Sequence, residues 1–418
     1  MKVLLKPILK IITILIIKKY QPLIIAVTGS VGKTSTKDGI YTSFSNLFSM
    51  EKSVGNLNTE FGAPLVFFKV NKSGENLKEW ILIILKGVWL LFKKNKNYPK
   101  IIVVELAADK PGDMGYFAKF IRPDIVVVTA IGDVPVHIEF YKSSGEVAQE
   151  KEKIVKALKS EGVAILNYDD PHVSKMKAKE KITFGFKDGA DVLIKKFETK
   201  SFNGSSLILE YKKQEFPLFL SCCIGDSFAY IAASIFAVGV ALGINLEKIS
   251  EMIEKIRPVK GRLMVIKGIK ETMILDGSYN ASPSSTMSAL RTLREIEGKR
   301  KIAVLGDMLE LGKFSVEEHK KIGKFAKEVA DYIITIGTWS EEVKKAAIQD
   351  NLKRENVFAF KNTESAIKKI EEIICKGDVI LVKGSQGVRT EKIVFSIMRD
   401  PERAEDLLVR QSTFWKRK

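Results

Sequence analysis

The sequence predicts an α/β protein: a central phosphate-loop domain with a mostly parallel sheet, followed by a C-terminal Rossmann-like α/β domain. Three observations predict it. Short β-rich apolar runs at 24–27, 101–104, 125–128 and 163–166 alternate with helical patterns such as 144–158, and this alternation buries a parallel sheet under helices. A turn holding Gly29 and Gly32, followed by Lys33, joins the first run to a helix. After Arg257, Pro258 and Gly261 the alternation restarts, with strands expected at 302–305, 332–336 and 379–382 and a helix at 316–330.

In chain order, the first element is an apolar stretch at 3–17, interrupted by Lys6, Pro7 and Lys10. It is shorter than the roughly 20 residues that cross a bilayer, and no small-residue cleavage site follows it. A second apolar stretch, 80–92, ends in Lys93 and Lys94. The two are expected to pack together. The alternative is a basic amphipathic helix lying on a membrane surface. Residues 191–220 alternate in polarity around Asn203 and Gly204, which is a hairpin signal, and 228–242 reads as a buried helix. The expected units are an N-terminal helix (1–22), a central nucleotide domain (23–258) and a C-terminal domain (259–418), within the range that the length suggests.

The chain is 45% hydrophobic and 28% charged, with a net charge of +18. A basic surplus favours anionic partners such as nucleotides and phosphorylated substrates. No nucleic-acid motif is present, so nucleic acid is not an expected partner. Cys222, Cys223 and Cys375 offer no CxxC spacing. Neither a disulfide framework nor a zinc site is expected, which fits a reducing cytosol.

The loop from Val27 to Thr34 has the setting a phosphate loop needs, after a strand and opening a helix. Its glycines let backbone N–H groups approach phosphate oxygens, and the helix N-terminus adds partial positive charge. Thr28, Gly29, Ser30, Gly32, Lys33, Thr34 and Ser35 are the expected nucleotide contacts. Lys33 would reach the β and γ phosphates and Thr34 would ligate Mg²⁺. Val27 stands where the standard pattern has glycine, so the motif is a variant. Glu105 closes the second run, where a carboxylate can hold Mg²⁺ beside the loop. His137 alone would read as a structural group, and Lys151, among Glu146, Glu150, Glu152 and Lys153, as part of a solvated face.

Together these segments resemble the Mur ligases of cell-wall synthesis. The matching stretches are TGSVGKTSTK (28–37), GNLNTEFGAP (55–64), VVELAADKPGDM (103–114), 123–154, DGSYNASPSS (276–285), VLGDMLELG (304–312) and LVKGSQG (381–387). They run in family order and are most like the members that add D-alanyl-D-alanine to UDP-N-acetylmuramoyl-tripeptide. The resemblance implies an ATP-dependent ligase that makes an amide through an acyl phosphate, with Mg²⁺ as cofactor. Lys33, Glu105, His137 and Lys151 would be its catalytic set. Thr34 and Glu105 would hold the first metal and His137 the second, with Lys151 carried as a carbamate ligand. Lys153 departs from the family, which usually has glutamate there.

Asn56 and Asn58 match an asparagine-containing substrate loop, and Arg262 and Asp276 match nucleotide contacts across the domain boundary. Tyr279, Asn280 and Pro283 complete that motif. Asp307, Glu310, His319, Lys383 and Ser385 fall near the expected amine site. The implied partners are a nucleotide-sugar peptide and D-Ala-D-Ala, handled by a cytoplasmic monomer. Two departures stand out: the run before residue 24 is too short for the domain that holds the UDP end, and Tyr230 replaces an adenine-site asparagine. They leave two alternatives, a different carboxylate substrate, such as a lipid-linked one, and an ATP-binding module without catalysis.

Overall fold

The computed structural model describes residues 2–55, 57–93, 95–348, 354–412 and 415. Asn56, expected at the substrate loop, lies outside the described residues. The chain opens with α1 (Lys2–Tyr20) and β1 (Leu23–Thr28), and the phosphate loop then leads into α2 (Lys33–Phe44). There follow β2 (Met50–Lys52), α3 (Leu77–Phe92), β3 (Ile101–Glu105), α4 (Asp113–Ala118), β4 (Ile125–Val128), α5 (Ser144–Lys156), β5 (Val163–Asn167) and β6 (Glu180–Gly185). A meander of β7 (Val192–Ser201), β8 (Gly204–Tyr211) and β9 (Gln214–Ser221) precedes α6 (Ser227–Ala241) and α7 (Leu246–Ile253).

These nine strands form one sheet in the order β2-β3-β1-β4-β5-β6-β7-β8-β9. It is parallel from β2 through to β7, and β7, β8 and β9 pair antiparallel. The central parallel strands β1, β3, β4 and β5 are almost wholly apolar because both of their faces are covered. Residues of α2, α6 and α7 share one buried cluster with one face of the sheet, and residues of α1, α3, α4 and α5 share another with the opposite face. The two N-terminal apolar stretches therefore pack together, as expected. A Cβ on Gly87 of α3 would stand 2.9 Å from Cγ2 of Ile12. The Lys19 ammonium donates to the carbonyls of Leu90 and Leu91 at the end of α3.

The rest of the chain builds a six-stranded sheet. It contains β10 (Met264–Lys267), β11 (Met273–Gly277), α8 (Pro283–Glu295), β12 (Lys301–Gly306), α9 (Ser315–Ala326) and β13 (Tyr332–Ile336). It continues with α10 (Ser340–Ile348), β14 (Val357–Phe360), α11 (Thr363–Ile373), β15 (Val379–Lys383) and α12 (Glu391–Ile397). The order is β10-β11-β15-β12-β13-β14, with only the β10–β11 pair antiparallel. Pro283 starts α8 behind a Ser282/Ser285 capping box, which satisfies two of the free N–H donors of that helix. In the first sheet, β1 lies between β3 and β4, both later in the chain. Strand order reverses there, which opens a crevice at the carboxyl ends of the strands.

Candidate active site

The phosphate loop occupies that crevice. Gly29 has φ +139°, and a Cβ there would lie 2.0 Å from the Thr129 hydroxyl oxygen after β4, so only glycine fits. Gly32 (φ 88°) caps α2, which leaves the first N–H groups of that helix free for an anion. The Ser30 N–H donates to the Ala130 carbonyl at 2.6 Å, fixing the loop against the neighbouring strand end. Thr28 and Ser35 are buried beneath the loop. Lys33 curls back so that its ammonium donates to the carbonyls of Gly29 (2.9 Å) and Ser30 (3.2 Å). Burial holds its pKa below the usual lysine value, partly opposed by the Glu105 charge.

Glu105 sits at the end of β3 with almost no exposure. Its Oε1 accepts from the Asn58 amide at 2.9 Å, and its backbone N–H donates to the Ser53 hydroxyl oxygen at 3.0 Å. Its Oε2 lies 3.5 Å from the fully buried Lys37 ammonium. That oxygen has no hydrogen bond among the described residues. Across the crevice, an Arg262 Nη donates to the Thr34 hydroxyl at 3.2 Å, and the guanidinium stacks 4.1 Å from the Tyr279 ring centre. His137 (φ 67°) has Nε2 3.2 Å from Asp109 and Nδ1 3.0 Å from Glu310. The cleft has a volume of about 800 Å³ and is lined by Lys33, Thr34, Asn58, Glu105 and His137 from one unit and by Arg262, Asn280, Glu310 and Ser385 from the other.

Lys151 lies behind this wall on α5, 3% exposed. Burial, and then the Lys33 charge, lower its pKa to about 7. Lys153, two residues on, is instead turned to Glu150 at 2.6 Å, and Glu150 accepts the N–H groups of Met114 and Gly115 that open α4. Asp276 is fully buried. One oxygen accepts from the Ser278 N–H at 2.9 Å, the other has no partner among the described residues, and burial raises the carboxyl pKa to about 6. Lys383 donates to the Asn280 carbonyl at 2.8 Å, with a pKa lowered to about 7 by burial and by Arg262.

Three expected amine-site residues, Asp307, His319 and Lys383, do not line the cleft, and Lys383 is instead turned to the Asn280 carbonyl. Asp307 accepts the N–H groups of Thr338 and Trp339 at the start of α10. His319 is buried, accepting from the Met308 N–H through Nε2 and facing the Ser315 carbonyl through Nδ1. Asp307 and His319 hold the loops around the site. Ser385 does line the cleft, accepting from the Leu309 N–H at 2.9 Å. Sequence reasoning gave no role to Lys37 and Asp109, although both lie inside the matched segments 28–37 and 103–114.

Mg²⁺ takes oxygen ligands and keeps several from water or phosphate. The Glu105 Oε2, which faces Lys37 but accepts no hydrogen bond among the described residues, and the Thr34 hydroxyl fit such an ion. Among the described residues, no group of three or more His, Cys, Asp and Glu could hold a metal by itself. The protein therefore supplies few of the ligands, and a triphosphate and water would have to supply the rest.

Comparison with known proteins places this geometry. The Mur ligase middle domain matches residues 27–238, and the Mur ligase, glutamate ligase domain, matches 261–386. The UDP-N-acetylmuramoyl-tripeptide–D-alanyl-D-alanine ligase of Bacillus subtilis is 26% identical over 380 residues, covering 90% of this chain and 76% of that protein. A MurF ligase from Thermotoga maritima, solved in complex with ADP, has a TM-score of 0.77 at 26% identity, covering 95% of this chain and 84% of that one. MurF from Acinetobacter baumannii shares the fold with a TM-score of 0.78 at 24% identity, covering 92% and 79%. The loop, the strand-end glutamate and the arginine that reaches across to them occur in a chain whose two halves match the two Mur ligase domains in order, and the chain belongs to the Mur ligase family.

Proposed function

We propose that the chain is an ATP-dependent, ADP-forming carboxylate–amine ligase that adds D-alanyl-D-alanine to the peptide of UDP-N-acetylmuramoyl-tripeptide in peptidoglycan synthesis. The observation that carries this reading is that Lys33, Thr34 and Glu105 face Arg262 and Asn280 across one cleft. The substrates are those in the names of the relatives that match most of its length.

In this reading the units are 1–22, 23–258 and 259–418. The loop N–H groups and α2 bind the triphosphate. Lys33 swings from the Gly29 and Ser30 carbonyls to the β and γ phosphates. Thr34 and Glu105 hold one Mg²⁺, and His137 and a Lys151 carbamate hold another. Mg²⁺ bound there neutralises charge that develops on the transferred phosphoryl group. A substrate carboxylate oxygen bonds to the γ-phosphorus as its bond to the ADP oxygen breaks. The amine nitrogen of the second substrate then bonds to the acyl carbon, phosphate departs with the C–O electron pair, and the nitrogen gives up a proton. Asp276 is the proposed ribose contact: its second oxygen accepts no hydrogen bond among the described residues, although the carboxylate is fully buried and does not line the cleft. Lys383 positions the loop that carries Asn280, and Ser385 the loop that carries Leu309.

The low pKa of Lys151 supports a carbamate, because only the neutral amine adds CO₂, releasing one proton. Monomeric action in the cytoplasm and peripheral membrane contact through the N-terminal helix complete the reading. The test is incubation with MgATP, UDP-N-acetylmuramoyl-tripeptide and D-Ala-D-Ala, followed by mass spectrometry. One amide and one ADP should appear per turnover, and Lys33→Ala should make neither. Absence of product from the parent protein, or equal product from Lys33→Ala, overturns the assignment.

A further inference from the structure

The packed side of α1 and α3 leaves another side bare. On α1, the residues Leu5, Leu9, Ile12 and Ile16 face the core, while Ile8, Ile11 and Leu15 are exposed. On α3, the residues Trp80, Ile83 and Leu90 are buried, while Ile81, Leu82, Leu85, Trp89 and Phe92 are exposed, Leu82 at 65% and Phe92 at 85%. Both helices bury their inward stripes in the same cluster against one face of the sheet. Their outward stripes therefore point away from the sheet together. Ten of the sixteen large apolar side chains exposed among the described residues lie on these two helices, which makes one patch rather than the scatter of an ordinary surface.

The charge around the patch is mostly basic, with Glu75 paired to Lys72 and Glu60 beside Lys6. The sequence of α1 contains five lysines and no acid. The only acid on α3, Glu79, is used at its own N-terminus, accepting from the Glu75 N–H and the Asn76 amide. Lys18, Lys78, Lys86, Lys93 and Lys96 are exposed beside the apolar residues, and the Lys93 ammonium lies 5.4 Å from the Trp89 ring centre. Apolar side chains with a basic border and a tryptophan suit the headgroup boundary of an anionic bilayer. No helix among the described residues is long and apolar enough to cross a membrane. Contact is thus with the surface only.

We propose that α1 and α3 together form a docking face for an anionic lipid surface. This extends the peripheral-contact reading from the N-terminal helix to a two-helix face, and it does not depend on the ligase chemistry. None of the residues that line the cleft belongs to α1 or α3, so the face and the site are separate surfaces.

The experiment is flotation of the full chain with phosphatidylglycerol/phosphatidylcholine vesicles and with pure phosphatidylcholine vesicles, near physiological salt. Two variants accompany it: Leu82→Ser with Phe92→Ser, and Lys93→Glu with Lys96→Glu. The parent is expected to float with the anionic vesicles and to remain behind with the neutral ones. Each basic residue near such a surface contributes roughly fivefold to partitioning, so the charge-reversed variant should lose more than tenfold. The serine variant should lose at least as much. Both should keep the parent's thermal midpoint and its affinity for a fluorescent ADP analogue, which separates this proposal from the ligase reading. Three results overturn it: a parent that floats with neither vesicle, variants that float as well as the parent, or a parent dimer in solution that the serine variant dissolves.

Discussion

Lys37 shows how much of the site is electrostatic and how little of that is written in the motif. It follows Lys33 by one helical turn, so the two share a face of α2. That much is legible, but what the second lysine meets is not. In the structure its side chain is 0% exposed and lies 3.5 Å from Glu105, itself 2% exposed, with the more exposed Asp38 at 3.7 Å. Removing one charge from such a pair strands the other, at a cost of about 3–5 kcal/mol. Glu105→Gln is therefore expected to abolish phosphate release and also to lower unfolding stability by roughly 3 kcal/mol. Lys37→Met combined with Glu105→Gln should regain most of the stability and none of the activity. Urea melts of the single and double variants measure this, and equal stabilities would mean that the two charges are not coupled. Asp276 supplies a pH-dependent counterpart. Its carboxyl pKa is raised from 3.8 to about 6 by burial, so between those values the folded state binds more protons than the unfolded one and stability falls as pH rises. The loss is complete above about pH 6 and amounts to roughly 3 kcal/mol at 1.36 kcal/mol per unit. Asp276→Asn should raise the melting temperature at pH 8, leave it nearly unchanged at pH 4, and weaken nucleotide binding. A stabilisation equal at both pH values would refute the burial account. The loop 28–35 could be found from sequence because its chemistry is local backbone chemistry. The roles of Asp307 and His319 could not, because side-chain direction decides them, and both turn toward backbone groups beside the cleft.

At the scale of elements, strands that are buried on both faces announce themselves. The runs expected at 24–27, 101–104, 125–128 and 163–166 each became a parallel strand, extended by at most two residues. Of the strands that gave no such signal, β6 and β11 lie inside their sheets, and the other three lie at a sheet edge. Met50–Lys52 is three residues at one edge of the first sheet, Met264–Lys267 is an edge strand held by a single antiparallel partner, and Val357–Phe360 closes the other edge of its sheet. Neighbours, rather than an apolar run of their own, make these three edge segments strands. In α1 the difficulty is reversed. Apolar residues occupy nearly the whole circumference, so periodicity does not separate inside from outside. Packing selects Leu5, Leu9, Ile12 and Ile16. Gly87 permits that contact, since a Cβ there would meet Ile12 at 2.9 Å and the Phe68 ring at 3.2 Å. Gly87→Ile should therefore force α1 off α3 and cost about 1–3 kcal/mol, as overpacking does. The expected readout is a lower melting temperature together with faster proteolysis near residue 20. A variant that melts with the parent would show that the two helices are not closely packed there.

Across the whole molecule, the two sheets are joined by a single passage of chain between α7 and β10, where Gly261 (φ 68°) and Leu263 (φ 56°) both take left-handed backbone. The cleft is bridged by contacts that are weak individually. His137 faces Glu310 at 3.0 Å with side chains 27% and 44% exposed, and ion pairs of that exposure are worth at most about 1 kcal/mol. Arg262 reaches the Thr34 hydroxyl at 3.2 Å, an oxygen that the proposed chemistry assigns to a metal. These contacts are well suited to a latch, because ligands that bind in the cleft can replace them at little cost. They are poorly suited to holding up the fold, because two cores lie within single units and a third buried cluster runs from the first sheet into the second. Glu310→Ala is accordingly expected to change unfolding stability by less than about 1 kcal/mol. It should nevertheless enlarge the radius of gyration of the ligand-free protein in small-angle scattering, and MgATP should restore the compact value. A variant that loses several kcal/mol and keeps the parent's radius would make the bridge a structural tie, and the cleft a fixed groove into which ATP binds without domain movement.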